Sequence, residues 1–114
     1  MTPRAGRDAY LGEFEQLILL ALLRLRVKGY GATIHAEVQK RTRRPISISA
    51  VYTTLERLAA KGLVEAYIGD PTPRRGGRRK KFFRLLQEGA QALSQSYRVF
   101  RDMTRGLERQ LENP

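Results

Sequence analysis

The amino-acid sequence predicts a mainly α-helical protein that carries one two-stranded β-ribbon. Three observations predict this fold class. Apolar residues recur at helical spacing in three segments before residue 62, two short runs rich in Val, Ile, Tyr, Phe and Leu follow, and the chain ends in an apolar repeat of threes and fours. A length of 114 residues with 41% apolar residues suits one domain with a modest core. Burial across a dimer interface would add stability to a core this small.

The first predicted helix begins at Glu13, after a mostly polar segment, residues 1–10, that we expect to be flexible. Its apolar positions at helical spacing are Phe14, Leu17, Ile18, Ala21, Leu22 and Leu25, and Leu19, Leu20 and Leu23 add apolar surface on the other side. A helix that is apolar nearly all round is usually buried on more than one side. The pattern therefore indicates contact with a partner subunit.

The second and third helices are predicted from their ends. Glycines in the segment 28–31 end the first helix, and the second runs over about 32–41 until Pro45 stops it. The third helix is capped by Ser47 or Ser49, and Gly62 takes the left-handed position after its end. Its apolar stripe consists of Ile48, Val51, Leu55 and Leu58. The opposite face is small and polar near the N-terminal end.

The ribbon and the last helix complete the expected layout. Two strands, 63–68 and 79–86, flank a turn-forming segment that is too long for a tight hairpin. From Gln87 a long helix is predicted whose heptad seam is Leu86, Ala90, Leu93, Tyr97, Phe100, Thr104, Leu107 and Leu111. Such a stripe is too long to be buried on so small a domain, so we expect it to pack on a second subunit. The alternative is an amphipathic helix that folds back on its own domain. The expected division is 11–86 for the folded domain and 87–114 for the dimerisation helix.

The net charge of +11 is concentrated in two short segments. Residues 40–44 hold four basic side chains, residues 74–84 hold seven, and neither segment holds an acid. The other 98 residues carry 11 basic and 11 acidic groups. Two concentrated basic blocks in an otherwise neutral chain indicate a surface for a polyanion, with nucleic acid favoured over a membrane surface or an acidic protein.

Helix, helix, short turn, helix and basic ribbon is the layout of a winged helix-turn-helix. The major groove admits an α-helix that has small or polar residues near its N-terminal end. We therefore expect Ser49, Thr53 and Arg57 to face bases or backbone, and Lys40 to lie close to the DNA backbone. Tyr52 either donates its hydroxyl hydrogen to a phosphate or closes the core with a partly buried ring. We expect Ser47 to cap the helix rather than to contact DNA. Gly76 and Gly77 let the ribbon approach phosphates that its six cations can meet: Arg74, Arg75, Arg78, Arg79, Lys80 and Lys81.

Several classes of function are excluded by what the chain lacks. It has no cysteine and only one histidine, His35, so disulfides, thiol catalysis and His- or Cys-based metal sites are excluded. No nucleophile motif, phosphate-binding loop or paired-carboxylate motif is present, so we expect neither an enzyme nor a cofactor. The longest apolar run, 17–23, is too short to span a membrane, and the N-terminus has no signal-peptide core. We expect a cytoplasmic protein without membrane contact.

Four stretches resemble the PadR-like transcriptional regulators, specifically the short members with a single C-terminal helix. These are residues 11–23 (LGEFEQLILLALL), Tyr30-Gly31, residues 48–64 (ISAVYTTLERLAAKGLV) and residues 75–85 (RGGRRKKFFRL). The segment VYTTLERL (residues 51–58) and the glycine-glycine-basic-aromatic strand within residues 75–85 are fairly specific in combination. The chain departs from the family at residues 86–89, where a threonine often opens the last helix.

The resemblance implies a homodimer that represses nearby promoters through a roughly palindromic operator in double-stranded DNA. The C-terminal helix, helped by the first helix, would form the interface, through Phe14, Leu17, Leu93, Tyr97, Phe100, Thr104, Leu107 and Leu111. Some family members sense aromatic acids or drugs at this interface. That property does not transfer directly, because the chain has no tryptophan, but Phe14, Tyr97 and Phe100 suit a small cavity, so an effector there stays open.

The leading hypothesis from the sequence is a dimeric operator-binding repressor. The alternative is a protein-interaction module whose basic wing docks on an acidic partner. Non-specific packaging of DNA is disfavoured, because only two segments are basic.

Overall fold

The computed structural model describes residues 10–69 and 80–114. Its elements are α1 (Glu13–Leu25), a 3₁₀ turn (Arg26–Lys28), α2 (Gly31–Thr42), α3 (Ile48–Ala60), β1 (Val64–Ile68), β2 (Lys81–Leu85), α4 (Gln87–Thr104) and α5 (Glu108–Glu112). The mainly helical fold with one two-stranded antiparallel sheet confirms the predicted class.

The ends of the helices follow from local backbone chemistry. Ser47 caps α3, because its Oγ accepts a hydrogen bond from the Ala50 N–H at 3.1 Å. Gly62 has the left-handed φ of +77° expected just beyond α3. Helix α2 ends earlier than Pro45 requires, since Arg43 already adopts a left-handed φ of +58° and donates its N–H to the Gln39 carbonyl. Arg26, at the end of α1, is the second residue with a positive φ that is not glycine in the described ranges.

The core lies where α1, α2, α3 and the sheet meet. Val51, Leu55 and Leu58 of α3 are fully buried, as the predicted stripe requires. Ile48 was expected in the same stripe, but 44% of it is exposed, because it stands in the first turn of α3, ahead of the packed region. The other buried apolar side chains are Leu11, Ile18, Leu19, Ala21, Leu22, Ile34, Val38, Leu63, Val64, Phe83, Ala92 and Leu93.

The sheet is a ribbon anchored at its base to the start of α2. Val64 pairs with Leu85 and Ile68 with Lys81. The Phe83 N–H donates to the Gly29 carbonyl at 2.8 Å, and Tyr30 forms an isolated bridge to Phe82. The strands are slightly shorter than predicted, and the predicted first residue of the second strand, Arg79, lies outside the described residues. Residues 29–30 thus act as a short third strand that the sequence pattern did not reveal.

The prediction of one continuous helix from Gln87 to the end is wrong. Helix α4 ends at Thr104, and Gly106, with a φ of +87°, turns the chain before the short helix α5. Glycine adopts this backbone without a steric penalty. The heptad spacing of apolar residues continues through the turn, so the spacing alone did not reveal the break. Leu107 and Leu111 therefore follow a turn and do not continue the stripe of α4. Within the described ranges, no helix is long and apolar enough to cross a membrane.

The start of α4 is joined by backbone contacts to Leu63, the residue before β1. The Leu86 N–H donates to the Leu63 carbonyl at 3.0 Å. One turn later, Gly89 is buried so closely that a Cβ atom there would lie 2.2 Å from the same Leu63 oxygen. A glycine at this position is what lets α4 start directly against β1.

Gly89→Ala should therefore destabilise the protein, although alanine is intrinsically better than glycine in a helix by about 1 kcal/mol. Overpacking against a backbone carbonyl should outweigh that gain and lower the free energy of unfolding by about 1–3 kcal/mol. Urea denaturation followed by circular dichroism measures the change. Gln91→Ala, at an exposed position of the same helix, is the control and should alter stability by less than about 0.5 kcal/mol. Equal stability of Gly89→Ala and the parent protein would contradict the packing described.

Candidate nucleic-acid interface

The turn between α2 and α3 is held by two side chains of α2 that contact the backbone N–H and C=O of one residue, Ile46. The His35 Nε2 lies 2.5 Å from the Ile46 carbonyl oxygen, and the Gln39 Oε1 accepts a hydrogen bond from the Ile46 N–H at 3.1 Å. His35 and Gln39 stand four residues apart, so they project from the same face of α2. No pattern in the sequence indicated this contact. It fixes the chain just before the N-cap of α3.

The polar face of α3 is exposed as the sequence predicts. Ser49 and Thr53 are exposed, and the Ser49 Oγ lies 3.3 Å from the Oγ of Ser47. The Ser47 Oγ also accepts the hydrogen bond that caps the helix. Glu56 is exposed one turn after Thr53. With its opposite side buried in the core, α3 presents small hydroxyl groups to the outside on a rigid support.

Tyr52 joins α3 to the start of α2. Its hydroxyl occupies the space beside Gly31, where a Cβ atom would lie 2.1 Å from the oxygen. The side chain is nevertheless 40% exposed. Tyr52 therefore packs against the first residue of α2, as expected if its ring closes the core, while part of the side chain stays open to solvent. Its contact with a phosphate stays a prediction.

Arg57 is engaged by an acidic residue of α1. Its Nε donates to the Glu15 Oε2 at 3.1 Å, and the Lys61 Nζ donates to the same oxygen at 2.9 Å. The Gly12 N–H donates to the other carboxylate oxygen at 3.0 Å. Burial opposes ionisation of Glu15, but the hydrogen bonds from Lys61, Gly12 and Arg57 outweigh it and hold its pKa below the ordinary value. Sequence patterns did not indicate this network, since Arg57 and Lys61 lie 42 and 46 residues from Glu15.

The cations at the end of α2 divide into two groups. Arg41 is paired with Glu37, and Arg44 donates two hydrogen bonds to the Glu13 carboxylate, both at 2.9 Å. The hydrogen bonds and the charge of Arg44 lower the pKa of Glu13. Lys40 and Arg43, in contrast, are exposed, and no carboxylate of residues 10–69 or 80–114 lies within salt-bridge distance of them. Lys40 lies in the last turn of α2 and Arg43 is the residue that ends it, just before the connection to α3.

Of the six wing cations expected from the sequence, Arg74, Arg75, Arg78 and Arg79 lie outside the described residues. Lys80 stands at the described edge of the ribbon, with its Nζ 3.3 Å from the Tyr30 hydroxyl and 4.4 Å from the centre of that ring. Lys81 is exposed and lies 5.8 Å from the centre of the Phe83 ring.

An aromatic row stiffens the base of the ribbon. The Tyr30 and Phe82 rings meet edge to face at 5.2 Å, and Tyr67 stacks on Phe82 at 5.6 Å. Arg84 continues the row, 4.3 Å from the centre of the Tyr67 ring. The row therefore has a cation at each end, Lys80 and Arg84.

A second surface is apolar and lies on α1 and α4. Leu20, Leu23, Tyr97, Phe100 and Met103 are between 43% and 73% exposed. A cleft of about 390 Å³ opens between the two helices, lined in part by Leu20, Leu93, Tyr97 and Phe100. Of the interface residues expected from the resemblance, Leu93 is buried within its own chain, and Phe14 and Leu17 are partly buried against the core. Leu107, just before α5, is 47% exposed, and Leu111, within α5, is 57% exposed.

Comparison with known proteins decides the family. The family model described as the transcriptional regulator PadR-like family matches residues 19–95, which is well over half of the chain. The chain belongs to the PadR-like family of transcriptional regulators.

Individual PadR-like proteins agree with this assignment. A PadR family transcription regulator from Clostridium difficile R20291 shares 26% identity with a TM-score of 0.69, and the match covers 88% of this chain and 99% of that one. A PadR-like regulator from Bacillus cereus shares the fold, with a TM-score of 0.67 at 19% identity over 89% of this chain and 92% of that one. An uncharacterized protein from Lysinibacillus sphaericus is 32% identical over 90 residues, 77% of this chain and 78% of that protein.

As a PadR-like protein, the chain is a DNA-binding transcriptional regulator. The resemblance stated from four sequence stretches is thereby confirmed. Regulators of this family are non-enzymatic transcription factors, in line with the class expected from the motifs.

The clamp on Ile46 predicts that Gln39→Ala lowers the free energy of unfolding by about 1 kcal/mol, the usual contribution of one hydrogen bond to a backbone group. Lys40→Ala is a matched control, since it is the next residue on α2 and is exposed; it should change stability by less than about 0.5 kcal/mol. Chemical denaturation of both variants measures the difference. If the two variants lost the same amount of stability, the clamp would have no energetic role.

Proposed function

We propose that this PadR-like regulator is a homodimeric, sequence-specific repressor that binds a palindromic operator through α3 and the ribbon. The observation that carries the proposal is the arrangement around α3. The helix is buried along one side, the turn before it is held by His35 and Gln39, and its exposed side offers hydroxyl groups. Lys40 and Arg43, at the end of α2, are exposed cations without an acidic partner in the described ranges. A rigid polar helix with exposed cations at the end of the preceding helix fits reading of the major groove.

The proposed DNA contacts fall into two classes. Ser49 and Thr53 are the candidates for contact with base edges, because they are exposed near the N-terminal end of α3. Phosphate contacts are assigned to Lys40, Lys80 and Lys81, to the exposed part of Tyr52, and to Arg74, Arg75, Arg78 and Arg79. Ser47 is assigned mainly to the cap. Arg57, expected from the sequence to face DNA, is removed from the contact set, because Glu15 holds its guanidinium.

Dimerisation is proposed through the apolar surface of α1 and α4. A regulator that left Leu20, Leu23, Tyr97, Phe100 and Met103 open to water would expose a continuous apolar patch, which marks an interaction surface in most proteins. Thr104 lies at the end of the same helix, and Leu107 and Leu111 extend the apolar surface beyond the turn. A two-fold dimer would present two α3 helices about 34–36 Å apart, to successive major grooves.

The cleft between α1 and α4 is the proposed place for a small-molecule effector. Its walls are mainly leucine and aromatic side chains, and its volume of about 390 Å³ suits a compact apolar or aromatic molecule. Tyr97 and Phe100 belong both to this cleft and to the proposed interface. A molecule bound there would contact both subunits.

Selection of bound duplexes from a random pool tests the proposed function. A palindromic site with half-sites about 10 base pairs apart is the expected product. If no sequence were enriched at about 150 mM salt, where non-specific binding is weak, the operator-binding function would be refuted. Retention on heparin without competition by any duplex would instead favour the alternative of an acidic protein partner.

Phe100→Asp should weaken the dimer by more than about 30-fold, since an aromatic residue at the centre of an interface contributes about 2 kcal/mol or more. Sedimentation velocity over a range of protein concentrations measures the dissociation constant. Gln95→Asp, which adds the same charge at an exposed position on the other side of α4, should leave the dimer intact. A Phe100→Asp protein that sediments like the parent would place the interface elsewhere.

Thr53→Ala and Lys40→Ala should affect DNA binding in different ways. Loss of a base contact should change the preferred base at one half-site position, an effect of about 1–3 kcal/mol. Loss of a phosphate contact should weaken binding to all duplexes alike and reduce the slope of log K against log salt by about 0.9 per subunit. Binding titrations of both variants on the selected duplex and on single-base variants distinguish the two outcomes. An unchanged base preference in Thr53→Ala would remove this residue from the base contacts.

A further inference from the structure

Among the acidic residues that the structure describes, Glu15 is the buried one. It lies in the first turn of α1, and its side chain is only 8% exposed. Its two carboxylate oxygens accept hydrogen bonds from the Gly12 N–H, the Arg57 Nε and the Lys61 Nζ, at 3.0, 3.1 and 2.9 Å. Two of the three donors are cations that belong to α3 or to the residue that ends it.

Arg57 and Lys61 are close enough to the DNA-facing side of α3 to matter for binding. Arg57 follows Thr53 by four residues, so the two lie on one face of the helix. The Arg57 side chain is 52% exposed and that of Lys61 is 31% exposed, so both are partly open to solvent. A guanidinium or ammonium group on this side of a DNA-binding helix would ordinarily add a phosphate contact, which strengthens binding to every sequence equally.

The carboxylate restrains both cations. To reach a phosphate, either cation would have to leave Glu15 and strand a buried negative charge with one partner fewer, which is strongly unfavourable. The Glu13–Arg44 pair is a weaker restraint of the same kind, because its carboxylate side chain is 68% exposed and solvent can replace the cation.

We infer that Glu15 is a specificity-determining residue, which withholds Arg57 and Lys61 from DNA phosphates and so keeps sequence-independent binding weak relative to operator binding. The part of the inference that concerns operator binding rests on the proposed function. The part that concerns binding to random-sequence DNA does not depend on an operator. A role limited to fastening α1 to α3 would change stability but would not produce the salt dependence described next.

Glu15→Gln is the central test, because glutamine keeps the shape and an acceptor oxygen while it removes the charge. Affinity for a random-sequence duplex should rise by about 5- to 10-fold near 0.1 M salt, and the slope of log K against log salt should steepen by about 0.9 for each freed cation that meets a phosphate. The ratio of affinities for the selected duplex and the random duplex should fall by a similar factor. Unchanged slope and ratio in a folded Glu15→Gln protein would overturn the inference.

Two further variants control for net charge and identify the freed cations. Glu112→Gln makes the same change in net charge at an exposed position near the chain end and should leave the slope within error of the parent. Arg57→Gln added to Glu15→Gln should take back about 0.9 of the extra slope if Arg57 supplies that contact, and Lys61→Gln tests the other cation in the same way. If neither substitution reduced the extra slope, the freed cations would not be its source.

The single variants Arg57→Gln and Lys61→Gln keep the inference testable even if Glu15→Gln does not fold. With Glu15 present, each should leave the salt slope on random DNA unchanged. A decrease of about 0.9 in either variant would show that the cation already meets a phosphate and would overturn the inference. Failure of the proposed operator function is recognised separately, as failure of the parent protein to enrich any duplex.

Discussion

The rest of the structure depends on the burial of one side of α3. Val51, Leu55 and Leu58 are fully inaccessible to solvent, packed in a core shared with α1, α2 and the sheet. The other side of α3, which is proposed to read DNA, has little support there, so the orientation of the helix comes mainly from this packing and from its two ends. The Ser47 cap and the clamp on Ile46 hold the N-terminal end, and Glu15 holds the C-terminal end. The Ser47 cap, the clamp on Ile46 and the contact with Glu15 thus hold α3 without using the hydroxyl groups of Ser49 and Thr53.

Charge is sorted on this surface rather than spread over it. Arg41, Arg44, Arg57 and Lys61 each have a carboxylate partner, whereas Lys40 and Arg43 have none in the ranges described. The sum of charges in a sequence cannot reveal this division, because the partners of Arg44, Arg57 and Lys61 come from a different helix, α1. Glu13 and Glu15, both in the first turn of α1, pair with three of these cations. The first helix therefore shapes the electrostatic field of the proposed DNA-binding surface although it is far from α3 in the sequence.

Sequence reasoning was most successful where one local rule decides the structure. Helical periodicity and caps located α1, α2 and α3, and the family was visible in short motifs. It failed where two distant segments cooperate: the clamp by His35 and Gln39, the Glu15 network and the short strand at residues 29–30. It also failed at Gly106, because a heptad of apolar residues continues through a turn that one glycine introduces. Periodicity records which residues are apolar and not whether the backbone between them stays helical.

The direct contact between α4 and β1 joins two surfaces that the fold otherwise keeps apart. A single residue, Leu86, separates the end of β2 from the start of α4, and its N–H is bonded to Leu63 next to the buried Gly89. With so short a connection and a backbone-to-backbone contact, there is no hinge at this junction. A change in the direction of α4 is therefore expected to move the ribbon with it. The angle at which α4 crosses another helix would then influence where the ribbon stands relative to the side of α3 that is proposed to face DNA.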